Sequence, residues 1–208
     1  MPATRYGLAE RPEVLPFIPA NAERILDIGC GHGAFGKTLR AGFPGASIVG
    51  IEPDPVSAEE AKRHYDHVIE GHFPKAIPRG ELWDAIVFND VLEHLADPWE
   101  ALRISKKFLR PRGLIVASIP NIRYLPVLWE LVIHGRWTYT DQGTLDRTHL
   151  RFFTRDSIRL MFDESNYRIL RVQGVNSVGG RRWMWARLLP GSLADMQWLQ
   201  FVVSAESI

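Results

Sequence analysis

Residues 25–36 read ILDIGCGHGAFG, a hydrophobic run that meets an aspartate and then four glycines within eight positions, Gly29, Gly31, Gly33 and Gly36. A stretch of this kind reads as a buried strand, a glycine turn that lets something approach the backbone, and a helix whose first N–H groups point at that something. The same alternation continues downstream. Strands are predicted at 24–29, 47–52, 67–71, 82–90 and 113–120, and helices at 34–42, 54–65 and 97–110. Both later helices open on Asp-Pro, a cap-capable side chain followed by a residue preset for the first turn. Their apolar runs are too continuous for a sheet wetted on one side, so a parallel sheet covered by helices on both faces is expected.

Beyond residue 120 the pattern breaks. Residues 121–150 are aromatic and irregular, with a short helix predicted at 124–133, and five of the seven tryptophans lie beyond residue 128. An insertion of this length inside a compact domain suits a lid or a binding loop. A helix follows at 154–166 with Thr154 as its cap, then strands at 167–175 and 197–207, and the basic, aromatic stretch 181–193 reads as a loop before the last strand. The whole chain, 1–208, is expected to be one domain.

Composition narrows the function. With 25 Lys and Arg against 24 Asp and Glu, the net charge of +1 offers none of the basic excess of a dedicated nucleic-acid binder. The single cysteine, Cys30, excludes an intramolecular disulfide and any thiolate zinc cluster and fits a reducing compartment. No apolar run resembles a signal peptide or a membrane span, so a cytoplasmic location is expected.

The glycine loop alone leaves two ligand classes open. Gly31, Gly33 and Gly36, or Gly29, Gly31 and Ala34, satisfy the dinucleotide pattern G-x-G-x-x-G/A. Glu52, at the end of the second strand, is placed to accept hydrogen bonds from a ribose diol in either case. Three further features separate the classes: Asp27 gives D-x-G-x-G-x-G, FNDVLEHLADP follows the fourth strand, and two terminal strands flank the last helix. None of the five tyrosines starts the Tyr-x-x-x-Lys pair of single-domain nicotinamide reductases.

LDIGCGHG, VGIEPD and NDVLEHLADP, at these spacings, resemble the class I S-adenosylmethionine-dependent methyltransferases, most closely over residues 20–120. The resemblance implies a Rossmann-like, seven-stranded, mostly parallel sheet with an antiparallel last strand and an acceptor insertion after strand five. It implies S-adenosylmethionine as cofactor and S-adenosylhomocysteine as product. Asp27, Gly29, Cys30, Gly31 and Gly33 would then line the methionine part and Glu52 the ribose. Asn89 and Asp90 would stand beside the cofactor. His72 occupies the position where the family usually carries an acidic or amide residue near the adenine, and Phe73 is placed to cover its face.

On the acceptor side, a hydroxyl needs a group to take its proton, and histidine titrates in the useful range. His149, in TLDRTHLRFF, is expected to face the acceptor with Asp146 orienting it, and His94 in VLEHL is a second candidate base. Glu93-His94 is half of a metal-ligand set, but spacing identifies no partner for it, so no metal site is predicted. Tyr124, Trp129, Trp137 and Tyr139 are expected to line an acceptor pocket or pack a small core. Arg123, Arg136, Arg147 and Arg151 would suit an anionic acceptor or form a solvated rim. The expected activity is methyl transfer to a small-molecule or saccharide-type acceptor at oxygen, with a non-catalytic cofactor-binding subunit as the alternative. Oligomeric state is not legible.

Overall fold

A computed structural model describes residues 10–179 and 181–208 of the chain. Its strands are β1 (Arg24–Ile28), β2 (Ser47–Glu52), β3 (His67–Glu70), β4 (Trp83–Asn89), β5 (Leu109–Pro120), β6 (Tyr167–Ser177) and β7 (Trp198–Ser207). They form one sheet in the order β3-β2-β1-β4-β5-β7-β6. The first five run parallel, β7 lies antiparallel to β5, and β6 antiparallel to β7. The strand order reverses between β1 and β4, the point where an open α/β sheet leaves a crevice at the carboxyl ends of its strands.

Alternation along each strand divides the core into two layers. Leu26, Ile28, Ile86, Phe88, Ile115 and Ala117 face one way and meet Leu102 of α3 (Pro98–Ser105) and Ile158, Met161 and Phe162 of α5 (Arg155–Glu164). Ile25, Ile48, Ala85, Val87 and Val116 face the other way. They meet Phe35 and Leu39 of α1 (Ala34–Gly42), Ala61 of α2 (Pro55–Ala61), and Val14 and Phe17 of an N-terminal 3-10 turn. Helices therefore cover both faces, and each fully buried large side chain removes enough apolar surface from water to be worth about 1.5–3 kcal/mol.

The helix starts follow from the caps. Asp54 accepts the Ser57 N–H at 2.8 Å, Asp97 accepts that of Glu100 at 2.8 Å, and Thr154 and Ser157 close a reciprocal capping box. Three boundaries depart from expectation. The predicted 54–65 helix stops at Ala61 and the predicted 97–110 helix at Ser105, the latter passing through a 3-10 turn at Lys106–Phe108 into a β5 that starts four residues earlier than read. The stretch 181–193 is not a plain loop but falls within 3-10 turns at Arg181–Leu188 and Gly191–Gln197. Among the described residues no helix is long and apolar enough to cross a membrane.

After β5 the chain forms α4 (Leu125–His134), then an irregular return to α5. That return is stitched to the end of β4: the carbonyl of Glu93 accepts the N–H groups of both Leu150 (2.8 Å) and Arg151 (3.1 Å).

Candidate functional site

A cavity of about 910 Å³ opens at the carboxyl ends of β1, β2 and β4. Its floor is the glycine loop. Gly29 sits at φ 72°, and a Cβ there would come within 2.7 Å of Val91; at Gly33, φ 88°, it would come within 2.8 Å of the Ala61 backbone. Both positions therefore exclude a side chain on two grounds, conformation and space. Gly36, the third glycine of the dinucleotide pattern, has another reason to be glycine: a Cβ there would lie 2.2 Å from the Tyr65 ring, which packs directly on α1.

Tyr65, which the sequence did not single out, reaches under the loop and donates its hydroxyl to Asp27 Oδ2 at 2.5 Å. Asp27 is 1% exposed, and its Oδ1 has no partner among the described residues. Burial pushes its pKa from 3.8 to about 7; the Tyr65 hydrogen bond opposes this and the nearby Glu52 charge adds to it. Glu52 is buried at the end of β2 and binds the loop as well as facing the cavity. Its Oε2 accepts the Gly31 N–H at 2.8 Å and its Oε1 that of Asp54 at 3.0 Å. Cys30 is buried, and burial followed by the Asp27 and Glu52 charges pushes its thiol well up, so it lines the floor as a small apolar group and not as a nucleophile.

The walls come from three other strand ends. His72 and Phe73 follow β3, with Phe73 set edge-on to Phe88 at 5.5 Å. Asn89 ends β4 with both side-chain amide atoms buried and, among the described residues, without a hydrogen-bond partner. Asp90, at φ 54°, accepts from Ser118 Oγ at 2.8 Å and from Gln200 Nε2 at 2.9 Å. Arg11, a second residue the sequence reading missed, reaches in from the N-terminal segment. It contacts Asp90 at 2.5 Å and Glu13 at 3.1 Å, and is the one Lys or Arg among the cavity's described lining residues.

These features fit the expected cofactor. Unpartnered buried polar atoms on Asp27 and Asn89 need a polar ligand to satisfy them. The glycine cradle leaves backbone exposed where a side chain would fill it. A carboxylate ends β2, opposite an apolar wall at Phe73 that suits a base.

The far end of the cavity gathers Glu93, His94, Thr144, Thr148 and His149. Glu93 is 1% exposed, and neither carboxylate oxygen has a hydrogen-bond partner among the described residues. Burial, and then the Asp90 charge, raise its pKa well above the usual range. The two imidazoles meet edge to face at 4.7 Å between centroids. Burial and the neighbouring His149 lower the pKa of His94. His149 is 9% exposed; its Nδ1 lies 3.1 Å from the Thr144 carbonyl and its Nε2 3.9 Å from Glu93 Oε1.

Three groups of residues singled out in the sequence have these surroundings. Asp146 Oδ1 accepts the Thr148 N–H at 2.7 Å and the Thr148 hydroxyl at 2.6 Å, and that hydroxyl stands 3.0 Å from His94 Nδ1. Through that hydroxyl the aspartate acts on His94. Of the two alternatives for the insertion's aromatic residues, Tyr124 fits the small core, packed against Leu125, Val178 and Ala186, and Trp137 packs on Phe152 at 5.5 Å, while Pro120, Leu199 and Gln200 are among the described lining of the cavity. The four arginines, expected either to meet an anionic acceptor or to form a solvated rim, have partners outside the described cavity lining: Arg123 with Asp195 (2.9 Å), Arg136 with Glu130 (3.5 Å), Arg147 with Asp141 (3.0 Å) and Arg151 with the Ala96 carbonyl (2.6 Å). What the sequence could not pair, Glu93-His94, the fold pairs with His149.

A reversed-order parallel sheet, an acidic strand end on either side of a glycine loop and a cavity across the reversal define a nucleoside-cofactor enzyme of the Rossmann-like class. The chain belongs to the methyltransferase-domain family, whose sequence model matches residues 4–172. It is a class I methyltransferase that uses S-adenosylmethionine. It is 27% identical over 185 residues to the ubiquinone biosynthesis O-methyltransferase of Cereibacter sphaeroides, a match spanning 81% of this chain and 69% of the relative. It is 32% identical over 109 residues to the enzyme of the same name from Azorhizobium caulinodans, spanning 50% of this chain and only 42% of the relative. Among solved structures, the possible histamine N-methyltransferase of Thermotoga maritima superposes with a TM-score of 0.66 at 16% identity, covering 95% of this chain and 87% of that one. The mitomycin 7-O-methyltransferase gives 0.65 at 19% identity, covering 97% and 54%. At these identities the two structures share the fold.

Proposed function

We propose that the chain methylates a hydroxyl oxygen of a small, uncharged acceptor, with residues 121–150 as the lid of a single domain and the cytoplasm as its location. The observation that carries this is the acceptor end of the cavity. Two imidazoles and a buried carboxylate converge there, the kinds of group that manage a hydroxyl proton. The names of the sequence relatives, which are O-methyltransferases of ubiquinone biosynthesis, support transfer to oxygen. The engagement of Arg123, Arg136, Arg147 and Arg151 outside the cavity favours a neutral acceptor, a phenol, catechol or unphosphorylated sugar, over a nucleotide-linked one.

In this reading Asp27, Gly29, Cys30, Gly31 and Gly33 hold the methionine portion of the cofactor, Glu52 its ribose hydroxyls, His72 and Phe73 its base, and Asn89 and Asp90 complete the wall. Bound there, the cofactor supplies an activated methyl on a sulfonium, so positioning of the acceptor oxygen provides much of the rate. The wall of Glu93, His94 and His149 holds that oxygen and handles its proton.

The test is a turnover screen that follows S-adenosylhomocysteine release with catechols, simple phenols, sugars, primary amines and carboxylates. Turnover confined to hydroxyl acceptors is expected. Turnover with amines alone, or with none while S-adenosylhomocysteine still binds, refutes the reading. Glu52→Ala serves as the cofactor control, with affinity for S-adenosylhomocysteine falling about a hundredfold as charge-assisted hydrogen bonds to the ribose are lost.

A further inference from the structure

A second cavity, of about 330 Å³, lies between α1 and the turn that joins α2 to β3. Lys37 and Arg40 of α1 line it, with Arg63, His64, Tyr65 and Asp66 of the turn. That size is at the low end of small-molecule sites, roughly 300–1,000 Å³. Its charge departs from the rest of the chain. The whole sequence sets 25 Lys and Arg against 24 Asp and Glu, whereas this cleft carries Lys37, Arg40 and Arg63 against Asp66 alone. Asp66 is already committed: one oxygen meets Arg40 at 2.8 Å and the other accepts the Ile48 N–H at 2.7 Å. Arg40 is held by that carboxylate and by the Ala46 carbonyl at 3.0 Å, which fixes its guanidinium in the wall with N–H donors left over. Lys37 meets Glu10 at 2.6 Å, but both side chains are more than half exposed, so the pair is weak. Among the described residues Arg63 and His64 make no side-chain hydrogen bond or ion pair. Like charges gathered on a concave surface raise the local potential for an anion.

Tyr65 is the partition between this cleft and the cofactor cavity. It lines the cleft, and its hydroxyl reaches through to Asp27, on the wall of the larger cavity, at 2.5 Å. The ring is 6% exposed, and glycines keep the space that it fills: a Cβ on Gly36 would lie 2.2 Å from it and one on Gly50 3.4 Å. A side chain packed so closely on the backbones of α1 and β2 moves only when they do.

We propose that this cleft binds a small phosphate-bearing anion, and that the bound anion strengthens cofactor binding by clamping α1 to the turn after α2 around Tyr65. The donors suit phosphate: two arginine forks bind its oxygens in pairs, Lys37 adds a point charge and His64 a ring N–H. Without an anion, Lys37 and Arg40 on α1 and Arg63 on the turn repel one another. An anion shared between them reverses that force, holds the Tyr65 hydroxyl on Asp27 and so keeps the carboxylate aimed. By reciprocity the cofactor strengthens anion binding by the same factor. The coupling rests on the role proposed for Asp27 toward the cofactor; the anion site does not.

The experiment is a calorimetric titration of the full-length protein with pyrophosphate, at an ionic strength held constant with sodium chloride, with and without S-adenosylhomocysteine. One equivalent is expected to bind with a Kd below about 1 mM, and S-adenosylhomocysteine affinity should rise about five- to tenfold at saturation. Arg63→Gln and Lys37→Gln should each weaken pyrophosphate by about tenfold and leave S-adenosylhomocysteine affinity in its absence unchanged. Tyr65→Phe should bind pyrophosphate as the wild type does, while its S-adenosylhomocysteine affinity, whatever the starting value, no longer responds. No saturable binding, or binding unaffected by the Arg63 and Lys37 substitutions, overturns the site and leaves these cations as the ordinary basic end of α2. Binding that does not change S-adenosylhomocysteine affinity, or a response that survives in Tyr65→Phe, overturns the clamp. A wild-type protein that fails to bind S-adenosylhomocysteine strikes the placement of the cofactor instead and leaves the anion measurement intact.

Discussion

Asp27→Asn is the substitution with the most to say about this fold. The aspartate is buried between Tyr65 and the glycine loop, and one of its oxygens lacks a partner among the described residues. Its pKa rises from 3.8 to about 7 on folding, with burial the largest cause. The sign of the linkage follows from that direction. A folded-state pKa above the unfolded value means stability that is fully present below about pH 4 and is lost as pH rises through about 7. Over that window the native state loses about 1.4 kcal/mol per pH unit, about 4 kcal/mol in all as an upper bound. Asparagine has the same shape, still accepts the Tyr65 hydroxyl, and does not ionise. Asp27→Asn should therefore match the wild type near pH 4 and exceed it in urea unfolding by several kcal/mol at pH 8, with the difference rising through pH 5 and 6 and flattening above pH 7. Calorimetry at pH 8 should show weaker binding of S-adenosylhomocysteine if, as proposed, the carboxylate that costs stability is held for the cofactor's amino acid portion. A stability difference that does not change between pH 5 and pH 8 would refute the account of Asp27 as a buried charge held for its ligand.

Gly36→Ala drives a methyl group into the Tyr65 ring and should cost about 1–3 kcal/mol in thermal or urea unfolding, and it should also weaken cofactor binding by shifting the Tyr65 hydroxyl from Asp27. Cys30 should not react with a thiol reagent at pH 8 until the protein is unfolded, when one equivalent titrates at once; fast reaction of the native protein would show that the glycine loop opens readily.

The parallel half of the fold was legible because each of its elements carries a local signal. Asp54-Pro55 and Asp97-Pro98 begin helices by capping, and the runs at 24–29 and 82–90 are buried on both sides, so the pattern has one physical solution. The glycine turn was legible for a related reason: Asp27, the glycines and Glu52 sit at fixed offsets from strand ends. Helix ends were read less well, since Ala61 and Ser105 are followed by residues that could have continued a helix. The surroundings of His149 were not legible, because the contacts there join distant parts of the chain. Nothing local says that the Glu93 carbonyl will receive Leu150 and Arg151, and without that stitch His149 has no reason to stand beside Glu93. The same holds for Arg11 against Asp90 and for Tyr65 against Asp27, pairs 79 and 38 residues apart. For the aromatic residues of the insertion, pocket and small core stayed open as alternatives because sequence shows what is apolar and not which way it points; in the fold Trp137 packs on Phe152.

The position of β7 has a consequence for how the protein is made. This strand is the last element of the sheet to leave the ribosome, yet it lies in the interior, between β5 and β6. Until it arrives, β5 presents an open row of backbone donors and acceptors flanked by Val116, Ala117 and Ile119, an edge suited to pairing with any extended chain nearby. β7 also brings Gln200, which fixes Asp90, and Leu199, which finishes the acceptor wall. Closure of the sheet and completion of the site are thus one event, dependent on pairings about 80 residues apart in sequence, the kind of contact that slows folding. A nascent chain stalled before residue 198 would carry the glycine loop and an exposed sticky edge together, a species for chaperones to hold and not an enzyme with a missing tail.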